Sequence, residues 1–236
     1  MPDVDLAEIK RHTSVLGVKP QLHFGERPTD NFATEGEVQV KLLSATSEQE
    51  WLEAAYQISV ATWTSGPIDA TYDEMLRAVI AEKDATVPLE AFTATFAITG
   101  VSRAVTHQIV RHRKMGFGQE SLRVTDLRHH PVRVPDTVMK DDQLRRLYKN
   151  AMHEVKMTYA LMVDKGVPLE EARALMPMGI TTYIVVTGTL RAWIDYMRAR
   201  QQDMAQREHR IIANKIRMHF QAMNTVWPLI KDRLGG

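Results

Sequence analysis

The sequence predicts one α/β domain, a mixed sheet with surrounding helices, and three observations carry that prediction. Residues 92–98, Phe-Thr-Ala-Thr-Phe-Ala-Ile, are rich in aromatic and branched residues with the period-2 alternation of a strand. Residues 181–187, Thr-Thr-Tyr-Ile-Val-Val-Thr, are β-branched almost throughout. Segments with helical periodicity separate these runs, in the order β, α, α, β, α, loop, α, α, β, α, α, which is the pattern of a layered α/β domain. The 236 residues are enough for one sizeable core.

Residues 1–36 mix Pro, His, Gly and charges without sustained periodicity and are read as an N-terminal arm ahead of a domain over 37–236. As a chain end, the arm is either a flexible tail or a strap across a partner subunit. Residues 38–43 begin with alternation and predict a short strand. Ser47 and Glu50 have the spacing of a capping box and open a helix through Trp51, Leu52, Ala55 and Ile58. Thr71 and Glu74 repeat the signal before a second helix with Leu76 and Ile80, and Gly66-Pro67 separates the two. After the strand at 92–98, a helix starting near Ser102 runs into Arg111-His112-Arg113. The glycines at 116 and 118 predict a loop, and Pro131 and Pro135 keep the next stretch irregular.

The C-terminal half is mostly helical. Leu144, Leu147, Ala151, Met152, Val155, Tyr159 and Met162 form one apolar face that ends at Gly166. Pro168 suits the first turn of a short helix through Leu175, which Pro177 ends. The strand at 181–187 leads into a helix over about 190–200. A last helix carries Ile212, Ile216, His219 and Met223 and stops before Pro228.

Composition excludes several classes. The chain has 30 Lys+Arg against 29 Asp+Glu, so it is not a chain-wide polyanion binder. No apolar run approaches the roughly 20 residues of a membrane span, so no membrane partner is expected. The first residues, MPDVDLAEIKRHT, carry acids where a signal peptide needs bases, so a cytoplasmic setting is expected. Cys is absent, which removes disulfides, thiolate metal sites and a cysteine nucleophile. No metal site is expected either, since His107 and His112 are five apart and His129-His130 are adjacent.

Near-zero net charge hides a basic island. Arg103, Arg111, Arg113, Lys114, Arg123, Arg128 and Arg133 face only Glu120 and Asp126 between positions 103 and 133. Such a cluster is either a solvated surface or, beside exposed backbone N–H groups, a phosphate site. Neither a P-loop nor a Rossmann glycine pattern is present. A second set, Arg173, Arg191, Arg198 and Arg200, reads as surface charge on spacing alone. From the residues themselves, the chain is an α/β protein with a clustered site for anionic ligands.

Arg111-His112-Arg113, seven residues and then Ser121 and Arg123 resemble the Arg-His-Arg-x7-Ser pattern of flavin-dependent thymidylate synthases. Gln108, the Gly166-Val167-Pro168 block with Arg173 and Pro177, and Arg191, Arg200 and Ala205-Gln206-x-Glu208 are similar to further blocks of that family. The resemblance covers about residues 38–228. It implies the thymidylate synthase-complementing-protein type of fold in a single domain, an FAD cofactor and a homotetramer with active sites shared between subunits. It also implies transfer of methylene from methylenetetrahydrofolate to C5 of a uracil nucleotide, with hydride from NADPH passing through the flavin. By position, Gln108, Arg111, Gln119, Glu120, Ser121, Arg123, Arg173 and Arg200 would hold the nucleotide, Arg200 at the uracil edge as the catalytic group. Arg111, His112, Arg113, Gln119, Thr189, Arg191 and Asp195 would hold the flavin.

The departures from the family pattern concentrate in the pocket. Gly116, Gly118 and Gln119 stand where Ser, Asn and Glu are usual, and Val124 where Tyr is usual. Ala85 and Ala91 replace histidines, Thr189 replaces Asn, and Asp195 replaces His or Asn. Two small residues in the nucleotide loop would admit a ribose 2′-OH, so UMP stands beside dUMP as substrate. Two rival readings remain: a nucleotide- or flavin-binding pseudoenzyme with a regulatory role, and an RNA-binding module on the basic island. The second wants aromatics among the cations, and only Phe117 qualifies.

Overall fold

The computed structural model describes residues 32–33, 37–63, 70–82 and 84–234. In chain order the elements are β1 (Phe32–Ala33), β2 (Gln39–Ala45), α1 (Glu48–Trp63) and α2 (Tyr72–Leu76), which widens into a π-helical turn at Arg77–Glu82. Then come β3 (Thr93–Ser102), α3 (Arg103–Ile109), β4 (Gly116–Gln119), β5 (Val132–Arg133), α4 (Asp136–Met139) and α5 (Asp142–Asp164). The chain continues through α6 (Leu169–Ala172), β6 (Thr181–Thr189), α7 (Leu190–Arg200), α8 (Arg207–Gln221) and α9 (Val226–Ile230).

Four strands form one sheet in the order β2-β3-β6-β4. Every pairing in it is antiparallel, with Phe96 opposite Val186 at its centre. The parallel pairing of the mixed architecture lies apart, between β1 and β5. Phe32 and Ala33, which fall within the predicted arm, are thereby tied to Val132 and Arg133; the rest of the arm lies outside the described residues. Local signals explain where the helices begin. Glu50 N–H donates to the Ser47 hydroxyl at 3.2 Å, while Ser47 N–H donates back to the Glu50 carboxylate at 3.2 Å. Thr71 and Glu74 close the same reciprocal cap on α2. Ser102 and Thr189 cap α3 and α7.

Three predictions need correction. Gly116 to Gln119 is not a loop but an edge strand, paired with β6 through Gly116–Thr187 and Gly118–Val185. Glycine has poor strand propensity, so only the nonlocal pairing reveals it. The face expected to point inward along α5 divides: Met152, Tyr159 and Met162 pack into a core, joined by Tyr148 from outside the predicted face, while Leu144 and Leu147 stay exposed. The last helix does end before Pro228, but it stops at Gln221 and leaves Met223 outside it; Pro228 sits in the first turn of a separate helix, α9, where its missing N–H costs nothing.

Helices α7 and α8 pack on the sheet, and α1 joins the same core through Trp51 and Ala55. Phe96 meets Trp193 at 5.0 Å between ring centroids and Phe220 at 5.8 Å. The two buried indoles keep their polar ends satisfied, Trp51 donating to Pro88 O at 3.0 Å and Trp193 to Ala94 O at 3.1 Å. β3 bulges between Ile98 and Val101, where Gly100 takes a φ of +69°. A Cβ there would collide with the Glu37 carbonyl. Gly100→Ala therefore combines left-handed strain with a backbone clash, and urea unfolding is expected to show a loss of about 2–3 kcal/mol. An unchanged midpoint would contradict this reading of the bulge.

Candidate active site

Helix α3 is the axis of the site. Its first two N–H groups leave the helix to reach Ile180 and Met178 carbonyls, both at 2.9 Å, which locks it across the start of β6. Arg103 begins it and Gln108 stands near its end, about 7.5 Å further along the axis. Two groups of predicted residues gather at these two ends.

At the Arg103 end lie Ser121, Arg123 and Arg173. Arg123 Nε contacts Glu170 Oε2 at 2.5 Å, and Arg173 Nε donates to Glu170 O at 3.1 Å, so α6 draws both arginines together. Ser121 Oγ accepts Arg123 N–H at 3.3 Å and shapes the turn after β4. Burial, and then the cation of Arg173, push the Arg103 guanidinium below its ordinary pKa. Arg103, Arg123 and Arg173 bring three cations against two carboxylates, Glu170 paired with Arg123 and Glu120 acting on Arg103, and the excess of positive charge is of the kind that a phosphate dianion satisfies.

At the Gln108 end, the Gln108 side-chain amide donates to Gln206 Oε1. Arg200, the last residue of α7, donates from Nε to His112 Nε2 at 2.9 Å. A histidine accepts only through an unprotonated nitrogen, so His112 is neutral with its proton on Nδ1. Its pKa falls from 6.5 to about 4, because burial and the Arg200 charge outweigh the opposing effect of Asp195. His209 behind it falls to about 3, from burial and then the charges of Arg200 and His112.

Lowered histidine pKa values have a consequence for stability. Between the folded and unfolded pKa values, the unfolded chain holds protons that the folded chain refuses, so stability falls as pH falls. Urea midpoints are expected to decline steadily from about pH 6.5 down to about pH 4, and His209→Phe to flatten that decline. Midpoints that do not change over this range would contradict the burial of these rings as neutral groups.

Other predicted residues are already engaged. Gln119 donates to Thr106 Oγ1 at 2.6 Å, fixing β4 on α3. Glu120 turns inward: its carboxylate meets His130 Nε2 at 3.0 Å and accepts from Thr182 Oγ1 at 3.4 Å. Lys114 pairs with Asp195 at 2.9 Å, so the acid in the flavin set is balanced by a cation. Thr189 is the cap of α7, and Arg191 pairs with Glu90 at 3.2 Å. Arg191 and Arg200 are nine residues apart on α7, about 13.5 Å along its axis. One chain thus brings together Gln108, His112 and Arg200, and separately Ser121, Arg123 and Arg173, but leaves Thr189 and Arg191 at a third place. Arg111 and Arg113 are exposed, with no ion pair among the described residues.

Sequence reading missed the buried support. Glu208 accepts Ser102 N–H and Oγ–H, both at 2.6 Å, and pairs with Arg133 Nε at 3.2 Å. Arg133 also donates to Gly100 O at 2.7 Å, so the knot ties the β3 bulge, β5 and α8 to the cap of α3. It forms one wall of a cavity of about 340 Å³ whose rim includes Gln206, Asp136 and Tyr148. His209 was equally unforeseen, although a histidine among Ile212, Ala213, Ile216 and Phe220 on the apolar face of α8 was the available signal. Among the described residues, no three His, Asp or Glu side chains gather to hold a metal ion.

Comparison with known proteins decides the family. The profile of the thymidylate synthase complementing protein family, Thy1, matches residues 41–224. The chain belongs to that family. Among curated members, the flavin-dependent thymidylate synthase of Pyrococcus furiosus is 35% identical over 147 residues, 61% of this chain and 60% of that protein. That of Geobacter sulfurreducens is 38% identical over 127 residues, 53% of this chain and 55% of that protein. The matched part of this Thy1 chain thus spans less than two thirds of either relative. In structure the chain is similar to the UMP/dUMP methylase PolB from Streptomyces cacaoi bound with 5-Br UMP, with a TM-score of 0.72 and 16% identity. That alignment covers 86% of this chain and 98% of the other and shows a shared fold. No described helix is long and apolar enough to cross a membrane.

Proposed function

We propose that the chain is an FAD-dependent methyltransferase that adds a methyl group to C5 of a uracil nucleotide. Methylenetetrahydrofolate gives the one-carbon unit and NADPH the hydride, and dUMP and UMP are both candidate acceptors. The observation that carries the reading is Arg200, held through Nε by neutral His112 at one end of α3 while Arg103, Arg123 and Arg173 crowd the other. A pyrimidine monophosphate has its anionic group and its base at opposite ends, which matches this division. The names of the flavin-dependent relatives and of the methylase with the shared fold support it.

The residues present fit a flavin. The exposed guanidinia of Arg111 and Arg113 suit a diphosphate, and Lys114 neutralises Asp195, which would otherwise disfavour an electron-rich ring. Arg111, His112, Arg113, Gln119, Thr189, Arg191 and Asp195 would hold the cofactor, and bound FAD supplies the hydride that turns the transferred methylene into methyl. The chain's own work is electrostatic. Arg123, Arg173 and Ser121 hold the phosphate, and Gln108 lies beside the base. Terminal N–H groups of Arg200 stabilise the negative charge that builds on N3 and O4 as C5 attacks. No covalent protein nucleophile is needed, in keeping with a chain without Cys.

The two loop glycines differ in what they allow. A Cβ on Gly116 would meet Thr187 Cγ2 at 2.9 Å, so packing within the sheet accounts for that glycine. A Cβ on Gly118 would meet nothing within 4 Å, and the room for a 2′-OH narrows to that position. Incubation with FAD, NADPH, methylenetetrahydrofolate and either nucleotide is expected to yield a 5-methyl product by mass spectrometry. FAD and nucleotide binding without product from either would transfer the site to the regulatory, non-catalytic reading.

The separation of Arg191 from Arg200 supports a site completed by a second copy, within the homotetramer and cytoplasmic setting of the same reading. Leu144, Leu147, Met157 and Leu161 stay exposed on one side of α5, an apolar stripe suited to that contact. Leu147→Glu with Leu161→Glu is expected to convert tetramers to smaller species by light scattering, with little loss of fold. An unchanged mass would move the contact elsewhere.

A further inference from the structure

Two buried side chains behind the His112–Arg200 bond play no part in this mechanism. Tyr196 of α7 is 1% exposed and His209 of α8 is 0% exposed. Their rings and that of His112 pack mutually: His112–Tyr196 at 4.9 Å between centroids, Tyr196–His209 at 5.4 Å and His112–His209 at 6.3 Å. The Tyr196 hydroxyl and both ring nitrogens of His209 are buried without a hydrogen-bond partner among the described residues. Burying a polar group this way costs about 1–3 kcal/mol, which apolar residues of similar shape would avoid.

We propose that Tyr196 and His209 are positioning residues for Arg200: they wall the inner side of His112 from water, keep it an uncharged acceptor, and so hold the guanidinium at one angle to the nucleotide. The proposal rests on the reading of Arg200 as the group at the uracil edge. Its logic follows from the charges around His112. Arg200 and Asp195 face it from α7, Lys114 neutralises Asp195 from the turn before β4, and His209 faces it from α8. Were water to reach the inner side, the imidazole would take up a proton more readily. An imidazolium has no lone pair to offer Arg200 and would repel it, so the guanidinium would leave its position. The arrangement therefore extends the working range of Arg200 to acidic pH.

The test titrates His112 by NMR in ligand-free, isotope-labelled protein and compares the pH profile of kcat in the same variants. His209→Phe and Tyr196→Phe keep the wall and are expected to leave the His112 midpoint in place. His209→Ala opens it and should raise the midpoint by about one unit or more, toward the free value. The acid limb of kcat should move up with it, while kcat well above neutral pH changes less than about threefold and the KM for nucleotide changes little. Tyr196→Leu opens the wall by a second route should the alanine variant not fold. An unmoved His112 midpoint in the opened variants would overturn the proposal, as would Phe variants that lose activity equally at every pH. Absence of any methylated product from the wild type would instead overturn the reading of Arg200, and the ligand-free titration would still decide the role of the wall.

Discussion

Arg200→Ala is expected to slow formation of the 5-methyl nucleotide by about a hundred- to a thousandfold, with nucleotide affinity changed far less. On the proposed reading, the two ends of α3 divide the work between phosphate and base. The phosphate end keeps Arg103, Arg123 and Arg173, so ground-state binding survives the substitution. At the base end, Arg200 is the cation fixed by a neutral partner, with its terminal nitrogens unpaired among the described residues. Loss there is felt when charge builds on the ring, so the effect belongs in kcat. Arg200→Lys restores charge but not the planar fork or the Nε bond to His112, and should recover only part of the rate. A variant that raises KM and leaves kcat intact would make Arg200 a binding group only.

Glu208→Gln is expected to cost about 3–5 kcal/mol of stability, read as a lowered urea midpoint. A buried ion pair is weak evidence of net stabilisation, because desolvation offsets the attraction. Breaking one by removing a single partner is different, since the other charge stays buried. Here Arg133, 5% exposed, would keep its cation against a neutral amide. The carboxylate also accepts two hydrogen bonds from Ser102 and one from the Gln206 amide while it pairs with Arg133, a set of donors that an amide, itself half donor, cannot match. Because the knot caps α3, the loss should also loosen Gln108 and Gln206 and weaken nucleotide binding. A loss below about 1 kcal/mol would show that the pair is solvated or readily rearranged.

What the sequence made legible was mostly local. Capping boxes at Ser47 and Thr71 and the period-2 run at 92–98 depend on neighbours in the chain, and the structure places all three as expected. The edge strand at Gly116 was hidden because its partner, Thr187, is remote and glycine carries no strand signal. Amphipathic spacing on α5 located a helix but could not separate a face packed in the core from an apolar stripe left exposed. The same limit applied to the site. Arg-His-Arg marked the turn after α3, yet the bond from His112 to Arg200 joins residues 88 apart, and the Glu208 contact with Ser102 joins residues 106 apart. Thr189 illustrates a further ambiguity, since its hydroxyl serves as a helix cap at a position read as a cofactor contact.

The most direct measurement of the central claim is release of isotope from C5. With uracil nucleotide labelled by tritium at C5, methylation at that carbon must expel the label into water, whichever of dUMP or UMP is the acceptor. The enzyme with FAD, NADPH and methylenetetrahydrofolate should release tritium in step with 5-methyl product, and Arg200→Ala should suppress both together. Retention of the label with both nucleotides, in protein that binds FAD and nucleotide, would contradict the assignment of this site to C5 methylation.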